Sequence, residues 1–405
     1  MVLRPTSHGF SNAVIAADPP SPEEDPDWSP EDVRYSVIRY ITTDIQNAQG
    51  PHVHDPRTGE ILESDILWYH NVMNLLRNWY FVQTAAINPE ARGVKFRDEI
   101  MGRLIRFVAA HEVGHTLGLP HNMGSSPAYP VDSLRSVTFT KEMGTAPSIM
   151  DYARFNYVAQ PEDGEVGLMP GIGPYDKWAI IYGYRPVLGA ATAEAELSVL
   201  NDMVKARADN PLYRYGPQRG NPVDPSSQTE DLGDDAVKAS RYGMANLKRI
   251  VPNLVTWSAE EGKDYSALQE LYGQVISQLG RYMRHVGTNV GGVYEHRKTS
   301  DEAGFVYSPV ARARQRDAVR FINDQLFITP SWLIAPDILQ RIESGGMMDR
   351  LRNLQVQTLN RLFDGDRLNR LSETEALHGS PAYRITDLFT DVQNGVWSEL
   401  ESRTQ

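Results

Sequence analysis

Residues 111–121 read His-Glu-Val-Gly-His-Thr-Leu-Gly-Leu-Pro-His, HEVGHTLGLPH, with three histidines, one glutamate and one glycine at fixed intervals. Just upstream, Ile100, Leu104, Val108, His111 and His115 follow one another at steps of three or four. That spacing puts them on one face of a helix, predicted over residues 97–117. Two histidines four residues apart on a helix point the same way, so both imidazoles can reach one metal ion. Glu112 lies roughly 100° round the helix from His111, beside the metal but free of it, where a general base belongs. Gly118 stands where a helix end favours a residue at positive φ, and the turn there returns His121 as a third ligand. Three protein ligands leave a fourth position for water, which is the catalytic rather than the closed structural zinc pattern. A chance match to this spacing is on the order of a few in 100,000 per chain.

The rest of the composition narrows the chemistry. The 405 residues allow two domains and a sizeable core, and 41% hydrophobic with 23% charged residues is ordinary for a globular protein. A net charge of −12 disfavours a broad grip on nucleic acid or anionic lipid. The basic run 311–316 (ARARQR) reads as a solvated helix face. There is no cysteine, so zinc must be held by histidine, carboxylate or phenol. No apolar run is long enough to span a membrane, and the first residues show no apolar stretch of signal-peptide type, so either the protein is not exported or this chain starts downstream of its export signal.

Along the chain, residues 18–32 read as a loop and 34–41 as a strand. Segments 50–55 and 60–68 flank Pro56-Arg57-Thr58-Gly59, a turn by composition, and form an expected hairpin. Residues 69–87 and 174–182 read as helices, and 122–147 as a long loop. From about Val187 the texture changes to a helical bundle. Leu268, Leu271, Tyr272, Val275, Leu279 and Tyr282 keep helical spacing, as do Val319, Ile322 and Leu326. Gly345-Gly346 and Gly365 break the helices, with Asp366 as a candidate cap. The acidic stretch 224–235 lacks calcium-loop spacing and reads as solvated. The expected division is a catalytic domain over 1–186 and a helical region over 187–405.

The zinc string resembles the extended signature of the metzincin metallopeptidases. Ser148-Ile149-Met150-Asp151-Tyr152 resembles their Met-turn. The longer context is GPHVHDPRTGEIL (50–62), FVAAHEVGHTLGLPHNMGSS (107–126), APSIMDYARFNYVAQP (146–161) and GIGPYDKWAIIYGYRP (171–186). Together these resemble a family of large bacterial, exported zinc-dependent metalloproteases. The resemblance implies an α+β catalytic domain: a twisted mixed sheet, an active-site helix and a Met-turn, followed by a mainly α-helical C-terminal region. It implies one catalytic Zn(2+) on His111, His115 and His121, with Glu112 as general base and Met150 packed beneath the ligands. Tyr152 would be the tyrosine that swings off zinc to donate to the oxyanion. A peptide substrate would pair along the edge strand at 50–55, with His52 and His54 as surface residues or residues behind the ligands. The setting implied is periplasmic, cell-surface or secreted.

In that family a strand and a long helix precede the segment that begins here at His8. They are not found in residues 1–6, so the expectation is either a truncated piece with an incomplete sheet or another segment that fills the gap. Two other readings stay open. One is a catalytically idle zinc-folded binding module, against which Glu112 argues. The other is an amide hydrolase acting on a non-peptide substrate.

Overall fold

The structure, a computed structural model, describes residues 17–401. Residues 1–6, where the missing strand and helix were sought, lie outside that range. Five strands occupy the first quarter of the chain: β1 (Ile38–Ile41), β2 (Ala48–Gln49), β3 (His52–His54), β4 (Ile61–Ser64) and β5 (Ile66–Tyr69). β5 is central, parallel to β1 and antiparallel to β2, so the sheet is mixed, with three strands among the described residues. β3 and β4 form the hairpin expected from Pro56–Gly59. Gly59 takes φ +75° and donates to the Asp55 carbonyl at 2.8 Å.

Helices follow: α1 (Val72–Thr84), α2 (Asp98–Thr116), α3 (Val137–Met143), α4 (Pro174–Tyr184) and α5 (Ala193–Lys205). Next come α6 (Ala236–Ile250), α7 (Leu254–Trp257), α8 (Ser266–Gly287) and the strand pair β6 (Val293–Glu295) and β7 (Tyr307–Pro309). The chain closes with α9 (Arg312–Ile322), α10 (Pro336–Ile342), α11 (Met347–Leu362), α12 (Gly365–His378), α13 (Ile385–Val396) and α14 (Ser398–Glu401). Helix α2 carries Asp98 and Glu99 in its first turn, where the helix dipole favours acids. Leu117 ends it, and Gly118 follows at φ +79°.

The helix that organises the core is α1. It is buried nearly all round, from Leu76 and Phe81 to polar Asn78 and Gln83. It packs against α2 on one side and against α6 and α8 on another. A helix apolar on one face only would not tolerate this; the run Trp79-Tyr80-Phe81-Val82 supplies apolar surface in every direction. Where α1 meets α8, Glu270 receives Arg77 at 2.8 Å and also the amides of Asn74 and Asn78. One continuous hydrophobic cluster therefore runs from Leu76 through Phe155 and Leu247 to Leu388, across residue 186.

Several expectations are corrected. The strand expected over 34–41 is regular only from Ile38. Residues 122–147 are not an open loop: Met123, Gly124, Ser125 and Ser126 are buried, and α3 lies within it. The acidic stretch 224–235 is not solvated. Asp224 and Asp231 are buried, and Asp224 pairs with Arg214 at 2.7 Å. The arginines of 311–316 do not present a free basic face. Arg312 pairs with Asp387, Arg314 with Asp235 and Arg316 with Asp391. Asp364, not Asp366, caps α12 by accepting from the Arg367 amide. The β6–β7 ribbon carried no signal strong enough to be expected.

Truncating the chain after Pro186 would strip α6 and α8 from α1 and expose its apolar faces. We expect that fragment to lose cooperative thermal unfolding, measured by circular dichroism. A sharp two-state melt of 1–186 would contradict this account of the core.

Candidate metal centre

His111 and His115 project from the last two turns of α2, and Gly118 turns the chain so that His121 faces them. The His121 Nε2 lies 3.2 Å from that of His111 and 3.0 Å from that of His115. Each ring commits its other nitrogen elsewhere. The Nδ1–H of His111 donates to the Ile149 carbonyl at 2.7 Å. That of His115 donates to the Leu119 carbonyl at 2.8 Å, and that of His121 to the Gln218 side-chain oxygen at 2.7 Å. Three carbonyl-type acceptors fix the same tautomer in all three rings. The Nε2 atoms then hold lone pairs, and three lone pairs this close repel unless a cation lies between them. A tetrahedral zinc with bonds of about 2.0–2.1 Å would set its nitrogens roughly 3.3–3.4 Å apart, close to what is seen. The residues present therefore fit zinc, and among the described residues these three form the one such His/carboxylate cluster. Burial pulls the His111 imidazole down to about 3 and lowers His115 and His121 as well, which favours the neutral, ligating form.

The floor of the site is a tight turn at Ser148–Asp151, closed by the Asp151 amide on the Ser148 carbonyl. Met150 is fully buried, and its sulfur packs against Gly114 so closely that a Cβ there would lie 2.2 Å from it. Asp176 on α4 anchors the turn. It accepts from Ser148 Oγ at 2.6 Å and from the Ile149 amide at 2.8 Å. That turn in turn presents the Ile149 carbonyl to His111.

Tyr152 stacks beside the ligands, its ring centre 4.4 Å from that of His121 and 5.1 Å from that of His111. Burial raises its phenol above the ordinary value. Beneath it lies Arg154, whose guanidinium is 4.4 Å from the Tyr152 ring centre and 3.6 Å from that of Trp79. Arg154 pairs with Glu230 at 2.9 Å, and Glu230 also takes Arg281 of α8. Burial pushes the Glu230 carboxyl up, but the two arginines outweigh it and hold it at about 2. Arg154 and Glu230 are also the two described non-glycine residues at positive φ, +57° and +66°.

Glu112 sits on the ligand helix and is 6% exposed. Burial alone raises its carboxyl to about 7. Gly50, at the start of the hairpin's first arm, lies on the same helix turn. A Cβ there would come within 2.4 Å of the Glu112 carbonyl. His52 and His54 are exposed and stand outside the histidine cluster. Four residues of this centre escaped sequence reasoning: Asp176, Arg154, Gln218 and Glu230. Arg154 and Asp176 stand inside quoted motif segments, but nothing in their spacing marks them. Gln218 and Glu230 reach the site only through the fold.

Replacing Gln218 by Ala should weaken zinc binding about 10–100-fold, read by competition with a chromogenic chelator, with helicity unchanged. Unchanged affinity would deny Gln218 an orienting role. Glu230→Gln leaves two buried arginines short of a partner and should cost about 3–5 kcal/mol in urea unfolding. A loss below about 1 kcal/mol would place the pair among weak surface bridges.

Comparison with known proteins agrees with this geometry. No curated protein and no solved structure showed significant similarity to the chain. A family model described as Met-zincin matches residues 93–404, which include the three histidines, Glu112, the 148–151 turn and most of the helical half. The chain belongs to the Met-zincin family, which implies a zinc-dependent metallopeptidase.

Proposed function

We propose that the chain is an endopeptidase in which Glu112 is the general base and Tyr152 the oxyanion donor. The observation that carries this reading is the state of Glu112. Glu112 is 6% exposed and stands one residue from a metal ligand, and burial raises its carboxyl, yet the side chain makes no hydrogen bond or ion pair within the described residues. A carboxylate held in a largely desolvated place without a partner is costly, so a purely structural metal site would not favour one there.

His111, His115 and His121 would hold the ion, and bound zinc would supply Lewis acidity toward a water and the scissile carbonyl. Glu112 takes the proton from the attacking water and returns it to the leaving amine. Burial raises its proton affinity, which helps it take that proton. The Tyr152 hydroxyl makes no hydrogen bond within the described residues, which leaves it free to donate to the developing oxyanion. Arg154 holds the ring from beneath, and Met150 supports the ligands as the Met-turn methionine. The first hairpin arm, 50–55, lies against α2 at Glu112, and β3 has one unpaired edge among the described residues. An extended peptide added there would bring its backbone past the base. A setting outside the cytoplasm rests on the resemblance of the motif segments alone.

Glu112→Ala should keep zinc and lose cleavage of a mixed peptide library by about 10²–10⁴-fold, read by mass spectrometry. Tyr152→Phe should keep zinc and lower kcat by about 10²-fold with little change in KM. Full activity of Glu112→Ala would overturn the mechanism. Absence of any cleavage by folded, zinc-loaded protein would favour the idle binding module.

A further inference from the structure

A cavity of about 590 Å³ lies between α8, α11, α12 and the loop before Val223. That is within the range of about 300–1,000 Å³ typical of small-molecule sites. Its wall is dominated by arginine: Arg219, Arg284, Arg361, Arg367 and Arg370 all line it. Two carboxylates also line it, and both are already engaged. Glu230 is held by Arg154 and Arg281, and Asp364 caps α12.

The arginines are only partly compensated, Glu230 acting on Arg284 and Asp364 on Arg367 without offsetting burial and the neighbouring arginines. The side chains of Arg284 and Arg361 have no hydrogen bond or ion pair within the described residues. Arg367 and Arg370 reach only backbone carbonyls, those of Gly287, Val290 and Gly291. The Arg367 Nε is buried with no partner. Arg219 alone has a carboxylate, Glu295, at 2.8 Å. Like charges gathered in a concave, partly desolvated space repel one another, and a net charge of −12 for the chain makes such a cluster unexpected. Burial and the neighbouring Arg370 pull the Arg367 guanidinium down to about 10, and burial with Arg281 and Arg361 lowers Arg284. Both remain charged at neutral pH, so the lowered values measure the cost of holding the charges there.

Guanidinium forks match the oxygen geometry of phosphate and sulfate. The volume exceeds what one such group fills. We propose that this cavity binds a small polyanion carrying two or more phosphate or sulfate groups. The site is separate from the zinc ligands, and none of the groups proposed for catalysis lines it.

The test is calorimetric titration of the zinc-loaded full chain with myo-inositol hexasulfate, and in a second arm with inorganic pyrophosphate while metal content is followed. We expect saturable one-to-one binding in at least one arm. Arg284→Gln and Arg361→Gln should each weaken it by about ten-fold or more. Arg352→Gln, an exposed arginine of α11 outside the cavity, should leave it unchanged. Tighter hexasulfate binding assigns a sulfated ligand, and tighter pyrophosphate binding a phosphorylated one. Arg361 is exposed, so its variant carries the test even if Arg284→Gln fails to fold. The proposal is overturned if neither probe saturates, if Arg361→Gln binds like the parent, or if Arg352→Gln weakens binding equally. Tighter binding of hexaglutamate would also overturn it, in favour of an acidic peptide.

Discussion

Three imidazole lone pairs gathered together, with those of His111 and His115 at 3.2 and 3.0 Å from the His121 nitrogen, form the constraint around which the molecule is arranged. Without a cation, that approach is electrostatically unfavourable, so each ring must be held against rotation. Each is held by one hydrogen bond to Nδ1, and the three acceptors come from three unrelated parts of the chain. Leu119 is local, set by the positive φ of Gly118. Ile149 belongs to a turn that Asp176 fixes from α4. Gln218 comes from the segment after α5. A helix motif thus provides two of the three histidines and Glu112, and tertiary structure provides the aim.

Arg154 and Glu230 show how the fold balances that demand. Both occupy the left-handed region, which costs about 1–3 kcal/mol for each non-glycine residue. Their mutual ion pair, the second pair to Arg281, and the stacking of Arg154 between Trp79 and Tyr152 outweigh the strain. Breaking a buried pair costs about 3–5 kcal/mol, so the balance depends on every member being present. The positive charge beside the ligands has a second effect: it helps keep His111 and His121 neutral.

What was legible in the sequence is what local rules encode. The step pattern from Ile100 to His115 gave α2 to within a residue at each end. Gly118 marked the turn, and Pro56–Gly59 marked the hairpin. Pro174 at the head of α4 was read for the same reason. The failures share a cause too. Asp224, Asp231 and Ser125 are polar residues buried by the fold, and polarity read locally suggests solvent. Gln218 lies 97 residues from His121, and Glu230 lies 76 from Arg154, beyond the reach of any periodicity. Asp364 displaced Asp366 as the cap because Gly365 joined the helix rather than preceding it. The bundle was legible as helical, but not its sharing of a core with the catalytic half, since α1 looks like any apolar helix until α6 and α8 are seen against it.

The distance in sequence between the ligands and their supports has a consequence for synthesis. A chain leaving the ribosome displays His111, His115 and His121 long before it contains Gln218, Glu230 or Arg281. At about 5–20 residues per second, the stretch from His121 to Arg281 takes roughly ten to thirty seconds to appear. Throughout that interval the growing chain carries the zinc signature without the groups that aim it. For a protein of peptidase chemistry, this order of appearance ties the aim of the three histidines to sequence made well after them.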